Sequence, residues 1–205
     1  MEYSISMVSL VPRIIFFIQK FLNDEGNASE AHIAHYSSVG KEQIGAVLVW
    51  HWQLIAPLRV GHVSFVLFTN SNDIKDPENT YISWWPGESA VNMTLTAPPK
   101  LGATYESDKK SEKGDPNKTR HVYSRNADAV KERIEQWWID FQRNEKRWAM
   151  SQNCATTIKD LLVNVGAYNA IDDSKLDYYY SPGFWVPNNL INIIEDINRG
   201  TGTLE

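Results

Sequence analysis

Alternating hydrophobic and polar positions early in the chain predict a β-sheet. Residues 46–52 and 60–68 are rich in β-branched and aromatic side chains, and Pro57 separates the two runs. Turn-forming residues follow at 70–79, and residues 80–85 form a third run that Pro86 and Gly87 end. Successive strands with short connections pair antiparallel. In the second run, the two-residue period of a strand predicts two opposite faces: His62, Ser64, Val66 and Phe68 on one, Val63, Phe65 and Leu67 on the other.

Later in the chain, hydrophobic positions recur at helical spacing and predict three helices. The first begins after Asn126 and buries one stripe of side chains: Val130, Ile134, Trp137, Trp138 and Phe141. The second is capped by Ser151 or Asn153, ends at Gly166 and buries Ile158, Leu161, Leu162 and Val165. Pro187 and Asn188 open the last, which turns inward Leu190, Ile191, Ile194 and Ile197. With a short strand at 120–123, these elements predict an α+β fold, an antiparallel sheet packed against helices.

Two other stretches lack such a pattern. Residues 97–119 are rich in Pro, Gly, Lys, Asp and Ser, which predicts a mobile loop with solvated charges. Met7–Leu22 is apolar, but its uninterrupted part is shorter than the roughly 20 residues of a membrane span, and no cleavable signal peptide is recognised. We interpret it as a docking helix, with membrane-surface contact through residues 7–22 as the alternative. The predicted domains are an N-terminal helical extension, 1–44, and a main folded domain, 45–205.

Composition and charge exclude several classes of protein. Of the 205 residues, 42% are hydrophobic and 22% charged, which excludes a largely disordered chain. The net charge of -5 provides no basic surface for phosphate contacts, so nucleic acid is not expected as a partner. His32 and His35 are joined by no acidic or cysteine cluster at ligand spacing, so no metal is predicted. There is no phosphate-binding glycine loop and no GxSxG motif, so neither a cofactor nor a serine hydrolase is indicated.

The single cysteine, Cys154, falls in the first turn of the second predicted helix. There the unpaired backbone N–H groups and the positive end of the helix dipole favour a thiolate over a thiol, which makes a cysteine nucleophilic at neutral pH. The flanking Ser151, Gln152, Asn153 and Thr156 are polar, which argues against an apolar pocket. The alternative is a buried and inert cysteine that packs as a small hydrophobic residue.

A nucleophilic cysteine needs a base that takes its proton and returns it to the leaving group, and a strand histidine can do both. His62 is the best candidate, because Gly61 before it leaves room for another element to approach closely. We therefore expect the first turn of the cysteine helix to pack there, with sulfur and imidazole within hydrogen-bond reach. His51 and His121 also lie in strand-like runs, so spacing alone does not reject them, and a purely structural His62 is the further alternative.

Three segments in this order resemble the circularly permuted papain-like superfamily. They are Gly61-His62-Val63-Ser64-Phe65, then Tyr81-Ile82-Ser83-Trp84-Trp85-Pro86, and finally Asn153-Cys154-Ala155-Thr156 at the start of an amphipathic helix. The superfamily includes cell-wall peptidases, lecithin-retinol-acyltransferase-like enzymes and bacterial toxins that acylate lysines. The resemblance covers about residues 45 to 195 and implies that 45–205 is a catalytic domain with a permuted papain-like fold, with the histidine strand first and the cysteine helix after it.

The resemblance also implies further site residues. A strand after the histidine normally carries a third polar group, often His, Asp, Asn or Gln, and here Ser83 is the only small polar residue in that strand. Ser83 orients a protonated imidazole less well than a carboxylate does. Beside the nucleophile, Asn153 or Gln152 is a candidate oxyanion donor together with the backbone N–H of Cys154. Of the eight tryptophans, most are expected in the core, and the candidates for a substrate groove are Trp84, Trp85 and Trp185.

These residues predict a cysteine-dependent enzyme of acyl transfer, in which Cys154 attacks a carbonyl and His62 shuttles the proton. The main prediction is a thiol peptidase or amidase acting on a peptide or a peptidoglycan stem. The alternative is a lysine or lipid acyltransferase with the same Cys-His dyad, because a lipid-derived acyl group suits the tryptophans and the apolar stretch at 7–22 could hold the enzyme at a membrane. An alternative of another class is a catalytically silent module that binds a peptide or lipid. The toxin-like members of the superfamily imply a secreted bacterial effector.

Overall fold

A computed structural model describes residues 40–55, 58–86, 96–97, 99–144, 148–149, 152–166 and 185–199. The strands are β1 (Glu42–Ile55), β2 (Leu58–Leu67), β3 (Thr80–Ser83), β4 (Trp85–Pro86), β5 (Thr96–Ala97), β6 (Pro99–Lys100), β7 (Lys118–Ser124) and β8 (Trp148–Ala149). The helices are α1 (Tyr105–Glu112), α2 (Ala127–Arg143), α3 (Cys154–Asn164) and α4 (Pro187–Arg199). The predicted docking helix at 7–22 lies outside the described residues, as do His32, His35 and the segment 178–184.

The main sheet has the strand order β3-β2-β1-β7, and every neighbouring pair in it is antiparallel. The antiparallel pairing predicted for the first three strands is confirmed. β1 begins at Glu42, before the predicted start at residue 46 and inside the segment assigned to the N-terminal extension. Two short antiparallel pairs, β4 with β6 and β5 with β8, accompany the sheet.

Both faces of the sheet are buried, and the residues of β2 divide between the two faces as the alternation predicts. One face presents Val63, Phe65 and Leu67 to a large apolar cluster that includes residues of α2, α3 and α4. The opposite face presents Val66 and Phe68 to a smaller cluster with Trp50 of β1 and Tyr105 of α1. The α+β class, with an antiparallel sheet packed against helices, is confirmed. The helices therefore pack on both faces of the main sheet: α2, α3 and α4 on one face and α1 on the other.

The three predicted helices form where the apolar spacing places them. α2 starts directly after Asn126 and buries the predicted stripe except Trp137, which is half-buried. α3 starts at Cys154 and is capped by Asn153, whose side chain accepts a hydrogen bond from the backbone N–H of Thr156. Gly166 follows its end with φ of 77°, a left-handed conformation that glycine adopts without strain. α4 starts at Pro187, as predicted.

The prediction of a mobile loop with solvated charges at 97–119 is wrong. This stretch contains β6 and α1, and α1 has a complete capping box: the Thr104 side chain accepts from the Ser107 N–H, and the Ser107 side chain accepts from the Thr104 N–H. The helix buries Tyr105 and Asp108 against the sheet. The remaining side chains of α1 are polar, so no apolar stripe in the sequence predicts this helix.

Candidate active site

His62 lies on β2, beside the point where the pairing with β3 ends. The last β2–β3 pair joins Ser64 to Ser83, and the imidazole of His62 is only 1% exposed. His62 Nε2 lies 2.9 Å from Asp108 Oδ2 and 3.0 Å from Ser83 Oγ. One ring nitrogen is thus directed to a carboxylate, which leaves Nδ1 for any further partner, because an imidazole has two nitrogens.

Asp108 is the residue of this site that the sequence did not reveal. It lies on α1 with no exposed surface, and its carboxylate accepts hydrogen bonds from three further side chains besides His62. Tyr81 OH at 2.8 Å and Ser83 Oγ at 2.7 Å donate to Oδ2, and Trp85 Nε1 donates to Oδ1 at 2.8 Å. A buried carboxylate with such donors is stable as an anion, whereas an unpaired one is costly.

The charges of His62 and Asp108 support each other. Burial lowers the pKa of His62, but the hydrogen bond to Asp108, then the hydrogen bond with Cys154 and the charges of both, raise it to about 9. Burial raises the pKa of Asp108, yet the hydrogen bond and charge of His62, followed by the hydrogen bonds from Ser83 and Tyr81, bring it below its ordinary value. Near neutral pH the pair is therefore an imidazolium and a carboxylate.

Cys154 is the first residue of α3 and is half-buried. Its side chain contributes to the raised pKa of His62 through a hydrogen bond, so the sulfur lies beside the imidazole. The helix is anchored behind it by Ala155, Ile158 and Leu161, which pack in the large apolar cluster. Because Nε2 of His62 is directed to Asp108, Nδ1 is the nitrogen that remains for Cys154. The side chains of Cys154 and Asp108 thus both lie beside the imidazole of His62.

Gly61 has a different role from the predicted one. A β-carbon at this position would collide with the backbone of β1, at the carbonyl group of Trp50, rather than with the cysteine helix. The glycine permits the close approach of two paired strands, in which Gly61 lies opposite His51. The expectation that Gly61 makes room for α3 is therefore corrected.

The rival histidines occupy other surroundings. Trp50 pairs with His62 and His51 with Gly61, so alternation along β1 places the side chain of His51 on the opposite face of the sheet from His62. His121 lies on β7, two strands away from His62, and its Nδ1 is hydrogen-bonded to Gln43. Burial lowers the pKa of His121, unlike that of His62. Neither His51 nor His121 is among the groups that act on His62.

Ser83, predicted as the third group, lies within reach of His62 but also donates to Asp108. The carboxylate that a protonated imidazole requires comes instead from α1. The local signals that point to this helix are its capping residue Thr104, acidic Glu106 and Asp108 in the first turn, and basic Lys109 and Lys110 in the last. They identify a helix start, but no pattern in the sequence identifies which acidic side chain turns inward.

The predicted oxyanion donors are engaged in other contacts. Asn153 Oδ1 caps α3, and its Nδ2 donates to the carbonyl oxygen of Trp185 at 3.2 Å. Gln152 is half-buried, and its Nε2 lies 3.4 Å from Thr157 Oγ1. An oxyanion role for either amide stays a prediction. The first turn of α3 also presents backbone N–H groups, which have no partner within a helix at this position.

The three predicted groove tryptophans separate in the structure. Trp84 is 2% exposed and packs edge-on against Phe141 of α2, so its assignment to a substrate groove is corrected: it belongs to the apolar core. Trp185 is 6% exposed in the same core, with Lys159 Nζ 5.4 Å from its ring centre. Trp85 is half-buried and stacks on His62, with ring centres 4.1 Å apart. Trp85 is therefore the one whose ring lies against His62, whereas Trp185 meets Asn153 through its backbone carbonyl oxygen.

Residues 30–131 match the family model described as the IcsB middle domain. The matched segment contains His62, Ser83 and Asp108, and it ends before Cys154. No curated protein and no solved structure matches the chain. Within the described part of the chain, no three His, Cys, Asp or Glu side chains group as metal ligands, and none of the helices is long and apolar enough to cross a membrane.

Proposed function

We propose that this protein is a cysteine-dependent acyltransferase that transfers a fatty acyl group to a lysine amine. The observation that supports the chemistry is that His62 is hydrogen-bonded both to Asp108, through Nε2, and to Cys154. The residues match the roles of nucleophile, general base and orienting carboxylate in cysteine-dependent acyl transfer. The order of a histidine strand followed by a cysteine helix supports a permuted papain-like arrangement of the fold.

The acyl group moves in two steps. Sγ of Cys154 attacks the acyl carbonyl of the donor, a C–S bond forms, and the leaving group departs with the proton that His62 carries. The lysine amine then attacks the thioester, His62 takes a proton from the attacking nitrogen, and the C–S bond breaks to return the thiolate. Asp108 remains an anion throughout and keeps the imidazole in its orientation, which is the role of the carboxylate in such triads.

The family match favours transfer over hydrolysis. IcsB is a Shigella effector and a cysteine-dependent lysine fatty acyltransferase, and the segment similar to its middle domain carries His62 and Asp108. The alternative prediction of an acyltransferase is therefore better supported than the main prediction of a thiol peptidase, which gains nothing specific from this match. The same relation supports a secreted bacterial effector. A fatty acyl donor and a lysine-bearing protein are the partners that this proposal requires.

The test follows the acyl group through both steps. The purified chain is incubated with an alkyne-tagged palmitoyl thioester and a lysine-containing peptide, and the label is treated with hydroxylamine, which cleaves thioesters and leaves amides. We expect a hydroxylamine-sensitive label on Cys154 and a resistant label on the peptide. Cys154→Ala should lose both, because removal of a covalent nucleophile costs several orders of magnitude in rate. Its circular dichroism and melting curve serve as controls for the fold.

Three results would contradict the proposal. Labelled peptide in the Cys154→Ala reaction at the wild-type rate would exclude Cys154 as the nucleophile. New peptide termini without acyl transfer would support the prediction of a thiol peptidase instead. Binding of peptide or lipid by the wild-type chain with neither transfer nor cleavage would favour the silent binding module.

A further inference from the structure

We propose that Trp85 is a positioning residue that holds Asp108 and His62 in their mutual orientation with a single indole ring. This inference rests on the proposed function, because it assigns a task within the same site. Trp85 was predicted as part of a substrate groove, and its contacts point instead to the catalytic residues themselves. It is half-buried, stacks on the imidazole and donates its N–H to the carboxylate.

The first argument is the period of the segment that carries Trp85. Tyr81, Ser83 and Trp85 follow one another at two-residue spacing, and all three donate hydrogen bonds to the carboxylate of Asp108. Trp84, between two of them, is in the apolar core on the other side. Alternation of side chains along an extended chain therefore directs every second residue to one carboxylate.

The second argument is the distribution of donors over the carboxylate. Tyr81, Ser83 and His62 all reach Oδ2, whereas Trp85 reaches Oδ1 at 2.8 Å. A contact at each oxygen fixes the rotation of the carboxylate plane, which in aspartate is otherwise broad. Without the indole N–H, the carboxylate has one fewer donor and more freedom to turn away from Nε2 of His62.

The third argument is the stack on the imidazole. The indole and imidazole rings lie 22° from parallel with centres 4.1 Å apart. The negative face of an aromatic ring attracts a cation, so the stack favours the imidazolium over the neutral ring. Trp85 thus favours the charged form of His62 twice, directly through its face and indirectly by holding the carboxylate of Asp108 toward Nε2.

The backbone of Trp85 is itself held in place. Trp85 pairs with Lys100 and Pro86 with Pro99 in the β4–β6 ladder, which fixes the start of the indole side chain. The titratable groups that act on His62 are Asp108 from α1 and Cys154 from α3. Tyr81 from β3 joins through Asp108, and burial followed by the charge of Asp108 raises the pKa of its hydroxyl, so that it remains a neutral donor. A substitution of Trp85 leaves Asp108, Cys154 and Tyr81 in place, so a change in the titration of His62 reports on the indole.

The experiment measures the titration of His62 by NMR in the full chain labelled at histidine Cε1. The chain has five histidines, and His62→Gln assigns the resonance. In the wild type the midpoint should lie at about 9. In Trp85→Phe, which retains a ring and loses the N–H, we expect it to fall by about one pH unit, as for loss of a charge-assisted hydrogen bond. The matched control Trp137→Phe alters another half-buried indole, in α2, and should leave the midpoint unchanged.

Kinetics separate positioning from substrate binding. A positioning role predicts that Trp85→Phe lowers kcat about tenfold with KM nearly unchanged, and that the alkaline limb of the rate profile moves to lower pH. A groove role predicts a raised KM with kcat retained. An unchanged His62 midpoint in a folded Trp85→Phe protein, or the groove pattern of kinetic constants, would overturn the proposal.

A second measurement covers the case in which Trp85→Phe does not fold. In Asp108→Asn, with Trp85 intact, the indole N–H resonance of Trp85 should move upfield, because an amide oxygen is a weaker acceptor than a carboxylate. A resonance that does not move would overturn the proposal. Both NMR measurements need no substrate, so a chain that transfers no acyl group yet shows these shifts would refute the proposed function and leave the role of Trp85 intact.

Discussion

The two short helices that bring Asp108 and Cys154 to the site are attached to the protein in opposite ways. α3 has eleven residues and buries six of them, four of which belong to the large apolar cluster: Ala155, Ile158, Leu161 and Leu162. α1 has eight residues and buries two, Tyr105 and Asp108. One helix is therefore held by hydrophobic packing and the other chiefly by hydrogen bonds that converge on a carboxylate.

This difference separates stability from catalysis in a way that mutations can test. Removing an apolar side chain from α3 creates a cavity in the main core, whereas removing the carboxylate from α1 leaves that core untouched. Asp108 has two tasks, since it orients His62 and also attaches its own helix to the sheet. The site thus depends on α1 for its geometry more than the fold does.

The largest expected effect comes from Asp108→Asn. An asparagine keeps the size of the side chain but cannot stabilise the imidazolium, so we expect the rate of acyl transfer to fall by about 10³–10⁴-fold. The measurement is the rate of thioester formation on Cys154. The matched control is Asp115→Asn, which removes an exposed carboxylate paired with Lys109 near the same helix and should stay within about twofold. A rate near that of the wild type in Asp108→Asn would refute the orienting role.

Leu161→Ala should lower stability without slowing the reaction of the folded molecules. Leu161 is fully buried in the apolar cluster, so its truncation should lower the free energy of unfolding by about 2–5 kcal/mol while the folded fraction keeps its activity. Denaturant unfolding and the rate per folded molecule check this. Val163→Ala, at a half-buried position of the same helix, should cost less. Loss of activity without loss of stability in Leu161→Ala would contradict the separation of the two helices.

The pH dependence of stability should reveal the ion pair that attaches α1. The pKa of His62 is raised from 6.5 to about 9, so its contribution is complete below pH 6.5 and is lost as the pH rises through 9. The pKa of Asp108 is lowered from 3.8, so its contribution is present above that pH and is lost as the pH falls below it. The difference in unfolding free energy between wild type and Asp108→Asn should therefore be greatest between pH 3.8 and pH 6.5, at most about 3 kcal/mol, and should decrease as the pH rises through 9. A difference that stays constant from pH 6 to pH 10 would contradict the pair.

The smallest effect is expected from Thr104→Ala. The Thr104 side chain caps α1, and its loss should destabilise this helix by about 1 kcal/mol. Amide hydrogen exchange should accelerate in α1 and remain unchanged in α3. Ser111→Ala, at an exposed position of α1, is the control and should have almost no effect. Equal acceleration in both helices would show that α1 does not open independently.

The same comparison explains which parts of the molecule were predictable. α3 and its cysteine follow from residues that repeat at helical spacing, and the faces of β2 follow from strict alternation. α1 has no apolar stripe, and its charged residues are typical of a solvated loop, so a pattern of hydrophobic positions fails there. A helix with mostly polar side chains is stable only where other elements supply hydrogen-bond partners. The partners of Asp108 come from β2, β3 and β4.

The pattern of hydrophobic and polar residues correctly predicts the α+β class, the antiparallel pairing of the first strands, the three apolar helices and the position of Cys154 at a helix start. Burial of apolar surface depends on composition and period, which are local properties of the chain. Three features depend on how the elements pack: Asp108 turns toward His62, Trp84 belongs to the core while Trp85 belongs to the site, and Gly61 permits the close approach of β1. Hydrogen bonds and close approaches of this kind join residues that are distant in sequence, and their geometry exists only once the elements have packed.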